Sequence, residues 1–168
     1  MIRKFWMILI MLCLVGCDPV KNEEQNEVQI KEETIVYSFT GESEGLSLYN
    51  GVIVLSPTQQ ILYGGELQNN QEDFSNVLDY SMEFLVLSDE GKEVLLTSGV
   101  SDMTEDNGMS IENNKILPGV ISEDIFTNNV QNNIENNFYF ELIVTKTNGD
   151  KQSYQIKLEV TKVTQNNY

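Results

Sequence analysis

Apolar and polar residues alternate with a period of two over most of the chain from Thr34 onward. This pattern is typical of β-strands with one face buried. Gly, Asn, Asp and Pro interrupt it at short intervals, as expected for turns between strands. The pattern predicts seven strands, over Ile35–Thr40, Leu46–Leu55, Gln60–Leu67, Tyr80–Leu87, Glu93–Ser98, Phe138–Lys146 and Asp150–Val163. We therefore expect an all-β sandwich built from antiparallel hairpins.

Glycine and asparagine residues fall inside two of the predicted strands. Gly64-Gly65 breaks the strand over Gln60–Leu67. Asn50-Gly51 marks either a bulge or a turn inside Leu46–Leu55, and the sequence leaves both readings open.

The two best-defined hairpins are predicted to share one loop type, a type I turn followed by a glycine bulge. In the last hairpin, a three-residue loop over Thr147-Asn148-Gly149 with Gly149 left-handed brings apolar residues together. It pairs Leu142 with Tyr154, Phe140 with Ile156 and Phe138 with Leu158, and it places Lys146 beside Asp150. The same loop over Asp89-Glu90-Gly91 pairs Val86 with Val94, Phe84 with Leu96 and Tyr80 with Val100.

The seven strands and their spacing resemble an immunoglobulin-like β-sandwich. The buried Trp typical of antibody domains is missing, because Trp6 lies in the leader described below. The apolar positions predict a core of Ile35, Tyr37, Phe39, Val52, Val54, Phe84, Val86, Val94, Leu96, Phe138, Phe140, Leu142, Ile156 and Leu158.

Residues 99–137 carry few apolar anchors. Ser122 is a suitable N-cap for a short helix with acidic residues in its first turn. Val130, Ile134 and Phe138 permit a helical turn, but the surrounding Asn residues are poor helix formers. We expect an ordered, irregular crossover.

The N-terminal residues have the pattern of an export signal. Arg3 and Lys4 precede an apolar run, residues 5–15, that is too short to span a bilayer. Leu14-Val15-Gly16-Cys17 resembles the lipobox of bacterial lipoproteins. The resemblance implies cleavage after Gly16 and attachment of a diacylglycerol to Cys17, which gives stable membrane anchoring. The alternatives are a plain signal peptide with a coincidental Cys, or an uncleaved anchor helix.

Three segments follow from this reading: a signal peptide over residues 1–16, a lipidated N-terminus and flexible acidic tether over 17–33, and a β-sandwich domain over 34–168. The tether is too polar to fold alone, and its root-mean-square reach is about 20 to 25 Å. The alternative for this segment is an additional strand over Val28–Ile30. The expected location is the extracytoplasmic face of the cell membrane, through the lipid on Cys17.

Composition excludes several functions. The chain has no histidine, and its two cysteines, Cys13 and Cys17, both lie outside the predicted domain. Ser-His-Asp triads, catalytic Cys-His pairs and metal sites with imidazole ligands are therefore excluded. The mature chain would carry eight lysines against 26 carboxylates, a formal net charge of −18. Such a charge excludes nucleic-acid binding. We expect neither catalysis nor a cofactor.

The stretch Phe39-Thr40-Gly41-Glu42-Ser43-Glu44 resembles a motif of small uncharacterised lipoproteins from Gram-positive bacteria. Those proteins also have a lipobox and a final Asn-Gly or Asp-Gly hairpin. They usually have a Trp shortly after the motif, where this chain has Gly45-Leu46-Ser47-Leu48. The resemblance implies a lipoprotein and implies nothing catalytic.

Two main functional hypotheses remain, beside a third possibility, a purely structural or stress-related envelope component with no specific ligand. In the first, the domain is a binding module that presents loops or an edge strand to another envelope protein. In the second, acidic loops bind Ca²⁺ or a small ligand, with Asp102 and Asp106 as the metal-ligand candidates. Their loop departs from the EF-hand pattern, since Asn113 stands where that pattern has Glu.

Overall fold

The protein is described by a computed structural model, which covers residues 34–43, 45–69, 74–102 and 108–163. These residues form eleven strands and one helix, α1, over Asn128–Asn137. The strands are β1 Ile35–Ser43, β2 Leu46–Leu55, β3 Gln60–Tyr63, β4 Glu66–Asn69, β5 Val77–Ser88, β6 Gly91–Ser101, β7 Lys115–Ile116, β8 Gly119–Ser122, β9 Phe138–Lys146, β10 Lys151–Lys157 and β11 Glu159–Val163.

The strands form two antiparallel sheets that pack face to face, so the expected all-β sandwich is confirmed. The larger sheet runs β11-β1-β2-β3-β8, with β4 on the other half of β2 and β7 beside β4. The smaller sheet runs β10-β9-β5-β6. More than seven strands are present because Gly64-Gly65 separates β3 from β4, β7 and β8 lie in the crossover, and one predicted strand is divided.

That divided strand, Asp150–Val163, connects the two sheets. Its first part, β10, pairs with β9, and its second part, β11, pairs with β1. Leu158 lies between them, is buried, and donates its N–H to the Phe138 carbonyl at 2.9 Å. The change of sheet therefore occurs at a core residue.

Aromatic rings join the sheets at the centre of the core. The Phe39 ring from the larger sheet meets the edge of the Phe138 ring at 5.1 Å between centroids, and Phe84 at 5.9 Å. Phe84 in turn contacts Phe140 at 5.2 Å. The two contacts of Phe39 are edge-to-face, a geometry that stabilises beyond simple area burial. Nine of the predicted core residues are buried: Tyr37, Phe39, Phe84, Val86, Phe138, Phe140, Leu142, Ile156 and Leu158.

The last hairpin has the predicted register. Leu142 pairs with Tyr154 and Phe140 with Ile156. The Lys146 carbonyl accepts from the Gly149 N–H at 2.9 Å, and the Lys146 N–H donates to the Asp150 carbonyl at 2.8 Å. These backbone hydrogen bonds close the predicted three-residue loop. Gly149 has φ 88°, the left-handed conformation that this loop needs.

The register of the hairpin between β5 and β6 is predicted correctly only in the half that lies away from the turn. Phe84 pairs with Leu96 and Tyr80 with Val100, as expected. The pairing of Val86 with Val94 is wrong: Val86 faces Glu93, and Val94 faces Leu85. Ser88 pairs with Gly91, so the turn has two residues, and a bulge at Leu95 restores the register. This bulge leaves Val94 exposed, and Leu96 is only half-buried.

The core prediction is also wrong within β2. Val52 and Val54 are half-buried, whereas Leu46, Leu48, Ile53 and Leu55 are buried. Gly41 faces Leu48 and Phe39 faces Gly51, so β2 carries one extra residue between them. Asn50, with φ 60°, lies in this bulge. The bulge reading of Asn50-Gly51 is therefore correct, and it reverses the side on which the next residues point. Ile35, at the start of β1, is half-buried.

The crossover contains regular structure instead of the expected irregular chain. Ser122 ends β8, and the helix begins five residues beyond the predicted cap, where Thr127 Oγ1 accepts from the Val130 N–H at 3.3 Å. Val130 and Ile134 are fully buried against β5, β9 and β11. Asn133 donates to the Asn129 carbonyl at 2.9 Å, so side-chain amides support a helix that propensity disfavours.

Candidate functional site

A row of five aliphatic side chains crosses the outer face of the larger sheet, the face that points away from the core. Cross-strand pairing joins Val163 to Val36, Val36 to Val54, Val54 to Ile61, and Ile61 to Ile121. Directly paired residues of an antiparallel sheet share one face. We call Val163, Val36, Val54, Ile61 and Ile121 the aliphatic row. It spans about 19 Å, since neighbouring strands are about 4.8 Å apart.

The members of the aliphatic row keep contact with solvent. Val36, Val54 and Ile61 are half-buried, while Ile121 is 62% exposed and Val163 is 49% exposed. None of the five belongs to the core cluster or packs against it. A contiguous exposed apolar patch of this kind marks a site of interaction more often than isolated exposed residues do.

The neighbouring row on the same face is uncharged. It consists of Thr161, Ser38, Val52, Tyr63 and Gly119. Ten adjacent positions therefore carry no charge in a chain that has 26 acidic residues. Charge depletion around an apolar centre is characteristic of the core of a protein–protein interface.

Sequence reasoning missed this face. Val52 and Val54 were expected in the core, because alternation along β2 was continued through Asn50-Gly51 without a bulge. One signal in the sequence was the spacing of the large aliphatic residues. Leu46 and Leu48 are two positions apart, but each is an odd number of positions from Ile53 and Leu55, so an unbroken strand would put the two pairs on opposite faces. A bulge places all four on one side, and it sends Val52 and Val54 outward.

A cleft of about 420 Å³ lies on the same sheet, toward the opposite end of β1 from Val36. Its lining residues are Thr40, Gly41, Glu42, Tyr49, Lys157 and Glu159. The Tyr49 hydroxyl donates to Glu42 Oε1 at 2.7 Å, which holds one carboxylate oxygen in place. Three of these residues belong to the motif over Phe39–Glu44, whose Glu44 lies outside the described residues.

Gly41 allows the segment between β10 and β11, where the chain passes from one sheet to the other, to approach β1 at this cleft. A Cβ atom on Gly41 would lie 2.6 Å from Ile156 Cγ2 and 2.7 Å from the Lys157 carbonyl oxygen. Any larger residue would push β1 away from the chain segment that joins the two sheets. Gly41 thereby positions both Lys157 and Glu159 at the cleft.

The smaller sheet carries an ionic cluster on its outer face. Glu83 and Glu141 are direct cross-strand partners, and like charges in such positions repel. Lys92 Nζ lies 2.7 Å from Glu83 Oε2 and 2.9 Å from Glu141 Oε2, so one ammonium group bridges both carboxylates and offsets part of their repulsion. Hydrogen bonds to Glu83 and then to Glu141 raise the pKa of Lys92.

One buried phenol lies on the inner side of β1. Burial, followed by the charge of Glu135 on α1, raises the pKa of Tyr37. Tyr37 belongs to the core cluster, so this shift reflects its place in the core.

The metal-ligand candidates are only partly placed. Asp102 follows β6, is half-buried, and donates its backbone N–H to the Leu78 carbonyl at 2.8 Å. Asp106 lies outside the described residues. Within residues 34–43, 45–69, 74–102 and 108–163, no group of three or more acidic side chains is arranged to hold a metal ion.

The predicted signal peptide with its cleavage residue Gly16, the predicted lipidation site Cys17 and the predicted tether, including Val28–Ile30, lie outside the described residues. In the part of the chain that is described, no helix is long and apolar enough to cross a bilayer.

Comparison with known proteins gives no match: no family model fits the chain, and neither a curated protein nor a solved structure is similar to it.

Proposed function

We propose that the protein is anchored by lipid to the extracytoplasmic face of a bacterial cell membrane, and that its domain is a non-catalytic module that binds a protein partner through the aliphatic row. Leu14-Val15-Gly16-Cys17 supports the anchor, because it combines a short apolar run with a small residue and a Cys. The aliphatic row is the observation that supports the binding surface.

The chemistry of the aliphatic row favours a protein partner. Its side chains offer no hydrogen bonds, so they gain free energy only by leaving water, at about 25 cal/mol per Å². The row crosses five strands and is bordered on one side by the uncharged neighbour row, so a partner meets a continuous apolar strip beside an uncharged one. The cost of desolvating a charged group is one of the terms that weakens interfaces.

An Ile121→Asp variant of the full-length protein tests this proposal, with Val100→Asp as the matched control. Both residues are exposed aliphatic residues on edge strands, but Val100 lies on the smaller sheet, at 45% exposure. We expect cross-linking in membranes, followed by purification, to recover the partner with the wild type and with Val100→Asp, and to lose it with Ile121→Asp. Equal recovery with both variants would contradict the proposal, provided that their thermal unfolding is equal.

The cleft beside Tyr49 favours a second candidate function, the binding of a small polar ligand. Its volume of about 420 Å³ falls within the range of ligand sites. Glu42, Glu159, Lys157 and Thr40 supply acceptors, a cation and a hydroxyl group around one aromatic ring. Screening mono- and disaccharides and amino acids by thermal unfolding tests this candidate. A ligand-dependent shift that Tyr49→Ala abolishes would support it, and the absence of any such shift would count against it.

The alternative of a Ca²⁺ site at Asp102 and Asp106 has its own test. Free Ca²⁺ at a hundred times its dissociation constant stabilises a protein by about 2.7 kcal/mol. Non-specific screening of an acidic surface acts equally for Ca²⁺ and Mg²⁺ at matched ionic strength. A shift in thermal unfolding that is specific to Ca²⁺ and lost in Asp102→Asn would support the site, and equal shifts with both ions would contradict it.

A further inference from the structure

We propose that the protein partner on the aliphatic row is a second copy of this chain, bound through a two-fold axis that runs parallel to the strands. This inference rests on the proposed function, in which the row binds protein. The order of side chains along the row and the distribution of charge favour a second copy, and the start of the domain at Ile35 favours this direction of the axis.

The aliphatic row is complementary to itself under this symmetry. A two-fold axis along β2, the central strand of the path, reverses the strand order of the second copy. Val54 then meets Val54, Ile61 meets Val36, and Ile121 meets Val163. The larger Ile side chains on one side of the axis face the smaller Val side chains on the other. Every contact in the row is aliphatic, as in the aligned packing of two sheets.

The charge distribution permits two acidic chains to meet at this face. Each mature chain would carry a formal net charge of −18, so contact between most surfaces of two copies brings carboxylates together. The aliphatic row and its uncharged neighbour row form a surface without carboxylates. Glu42, Glu66 and Glu159 lie toward the other end of the outer face, beyond the two uncharged rows.

The position of Ile35 favours one direction of the axis. The domain begins at Ile35, next to Val36 of the aliphatic row. With the axis parallel to the strands, both predicted tethers leave from the same end of the dimer. With the axis across the strands, the two exits are separated by the length of β1, nine residues or about 30 Å. A tether of about 16 residues extends to about 55 Å, so both arrangements can reach one membrane, but the parallel axis leaves both tethers near their root-mean-square reach of about 20 to 25 Å.

The contact area makes the dimer dependent on the membrane. The outer face of five strands by nine residues measures roughly 700 Å², and the two uncharged rows cover less than half of it. Stable interfaces in solution bury about 800 Å² per partner. Confinement to a membrane raises the effective concentration of anchored copies, which compensates for a small interface. We therefore expect dimers in membranes and mainly monomers in dilute solution.

Single cysteines report this geometry, because the sequence has no cysteine after Cys17. In membranes from cells that express the full-length chain, we expect a short bis-maleimide to cross-link Val54→Cys into a homodimer several-fold more than Val100→Cys. Co-expression of Ile121→Cys and Val163→Cys should give a mixed dimer, whereas neither variant alone should cross-link to itself. The wild type is the control for a free thiol at Cys17.

The products separate the alternatives. A Val54→Cys homodimer together with the mixed Ile121–Val163 dimer supports the proposal. Self-cross-linking of Ile121→Cys would overturn the axis. Labelling of Val54→Cys with a photoreactive benzophenone maleimide, which also captures partners that lack a thiol, covers the remaining case: an adduct with a different protein would overturn the second copy but preserve the proposed function. If Val54→Cys gives no adduct with either reagent beyond the level of Val100→Cys, both the second copy and the binding function of the row are wrong. A wild-type adduct would contradict only the lipidation of Cys17.

Discussion

Val54 lies directly opposite Val36 on the outer face of the larger sheet, while its neighbour Ile53 points into the core opposite Tyr37. Two adjacent aliphatic residues of one strand therefore have different roles. Ile53 holds the sandwich together, and Val54 belongs to the surface through which we propose that the protein binds its partner.

Truncation of these two residues should have unequal effects on stability. Ile53→Ala removes a fully buried side chain, and we expect it to lower the free energy of unfolding by about 2 to 5 kcal/mol. Val54→Ala should cost less than about 1 kcal/mol, because its side chain stays in contact with water. Urea unfolding of both variants measures the difference. Equal losses, or a larger loss for Val54→Ala, would contradict the assignment of the two faces.

The close approach at Gly41 predicts a second stability difference. Gly41→Ala places a Cβ against Ile156 and the Lys157 carbonyl, and such overpacking costs about 1 to 3 kcal/mol. Gly99→Ala is the control. Gly99 is exposed, and the nearest neighbour of a Cβ atom there would be the Tyr80 carbonyl oxygen at 3.3 Å. Thermal unfolding compares them. A Gly41→Ala variant as stable as the wild type would show that the passage of the chain from β10 to β11 does not depend on this contact.

Alkaline pH should destabilise the fold through two groups. The pKa of Lys92 is raised above 10.5, so its stabilising charge is present at lower pH and is lost as pH rises through the folded-state value. The pKa of Tyr37 is raised above 10.0, so the unfolded chain loses this proton before the folded one does. Both effects lower the free energy of unfolding as the pH rises.

Two variants separate these effects. In Lys92→Met the fall in stability above pH 10.5 should be smaller than in the wild type, and in Tyr37→Phe the fall above pH 10.0 should be smaller. At neutral pH, Lys92→Met should cost about 1 kcal/mol or less, since Lys92 is 43% exposed. Urea unfolding across this pH range measures both slopes. Variants whose pH profiles match that of the wild type would show that neither group is linked to folding.

The two hairpins show what sequence determines about register. The Gly149 loop was predictable because one loop type alone places Leu142, Phe140 and their partners on the same face. The same argument applied to the loop near Gly91. There, however, Leu95 is an extra residue that forms a bulge in β6, and with this bulge a two-residue turn also pairs Phe84 with Leu96. Alternation alone does not reveal where along a strand an extra residue is inserted.

The candidate site depended on a similar ambiguity. Asn50-Gly51 marked an irregularity, but only the pairing of β1 with β2 shows that it turns Val52 and Val54 to the outer face. Helix α1 was not predicted, because its Asn residues are poor helix formers and the burial of Val130 and Ile134 that stabilises it is a tertiary effect. Its Thr127 cap is a local contact with the Val130 N–H. Strand pairing brings Val163 and Ile121 into one row although they are far apart in sequence.

Cys17→Ala tests the anchor. The thiol of Cys17 is the proposed site of lipid attachment, so the variant should lose labelling by a radioactive or alkyne fatty acid. The precursor should remain uncleaved or the protein should be released from the membrane, because no acyl chain then holds it. Cys13→Ala is the control and should leave both labelling and membrane attachment unchanged. Unchanged lipid labelling of Cys17→Ala would contradict the anchor.

The most direct measurement of the central claim is the accessibility of the aliphatic row in intact cells. Ile121→Cys and Val100→Cys place one thiol each on similarly exposed aliphatic positions of the two sheets. We predict that a membrane-impermeant maleimide labels Ile121→Cys several-fold more slowly in cells than after purification in dilute solution, whereas Val100→Cys reacts at the same rate in both. Equal rates for Ile121→Cys in the two settings would show that nothing covers the row and would contradict the account.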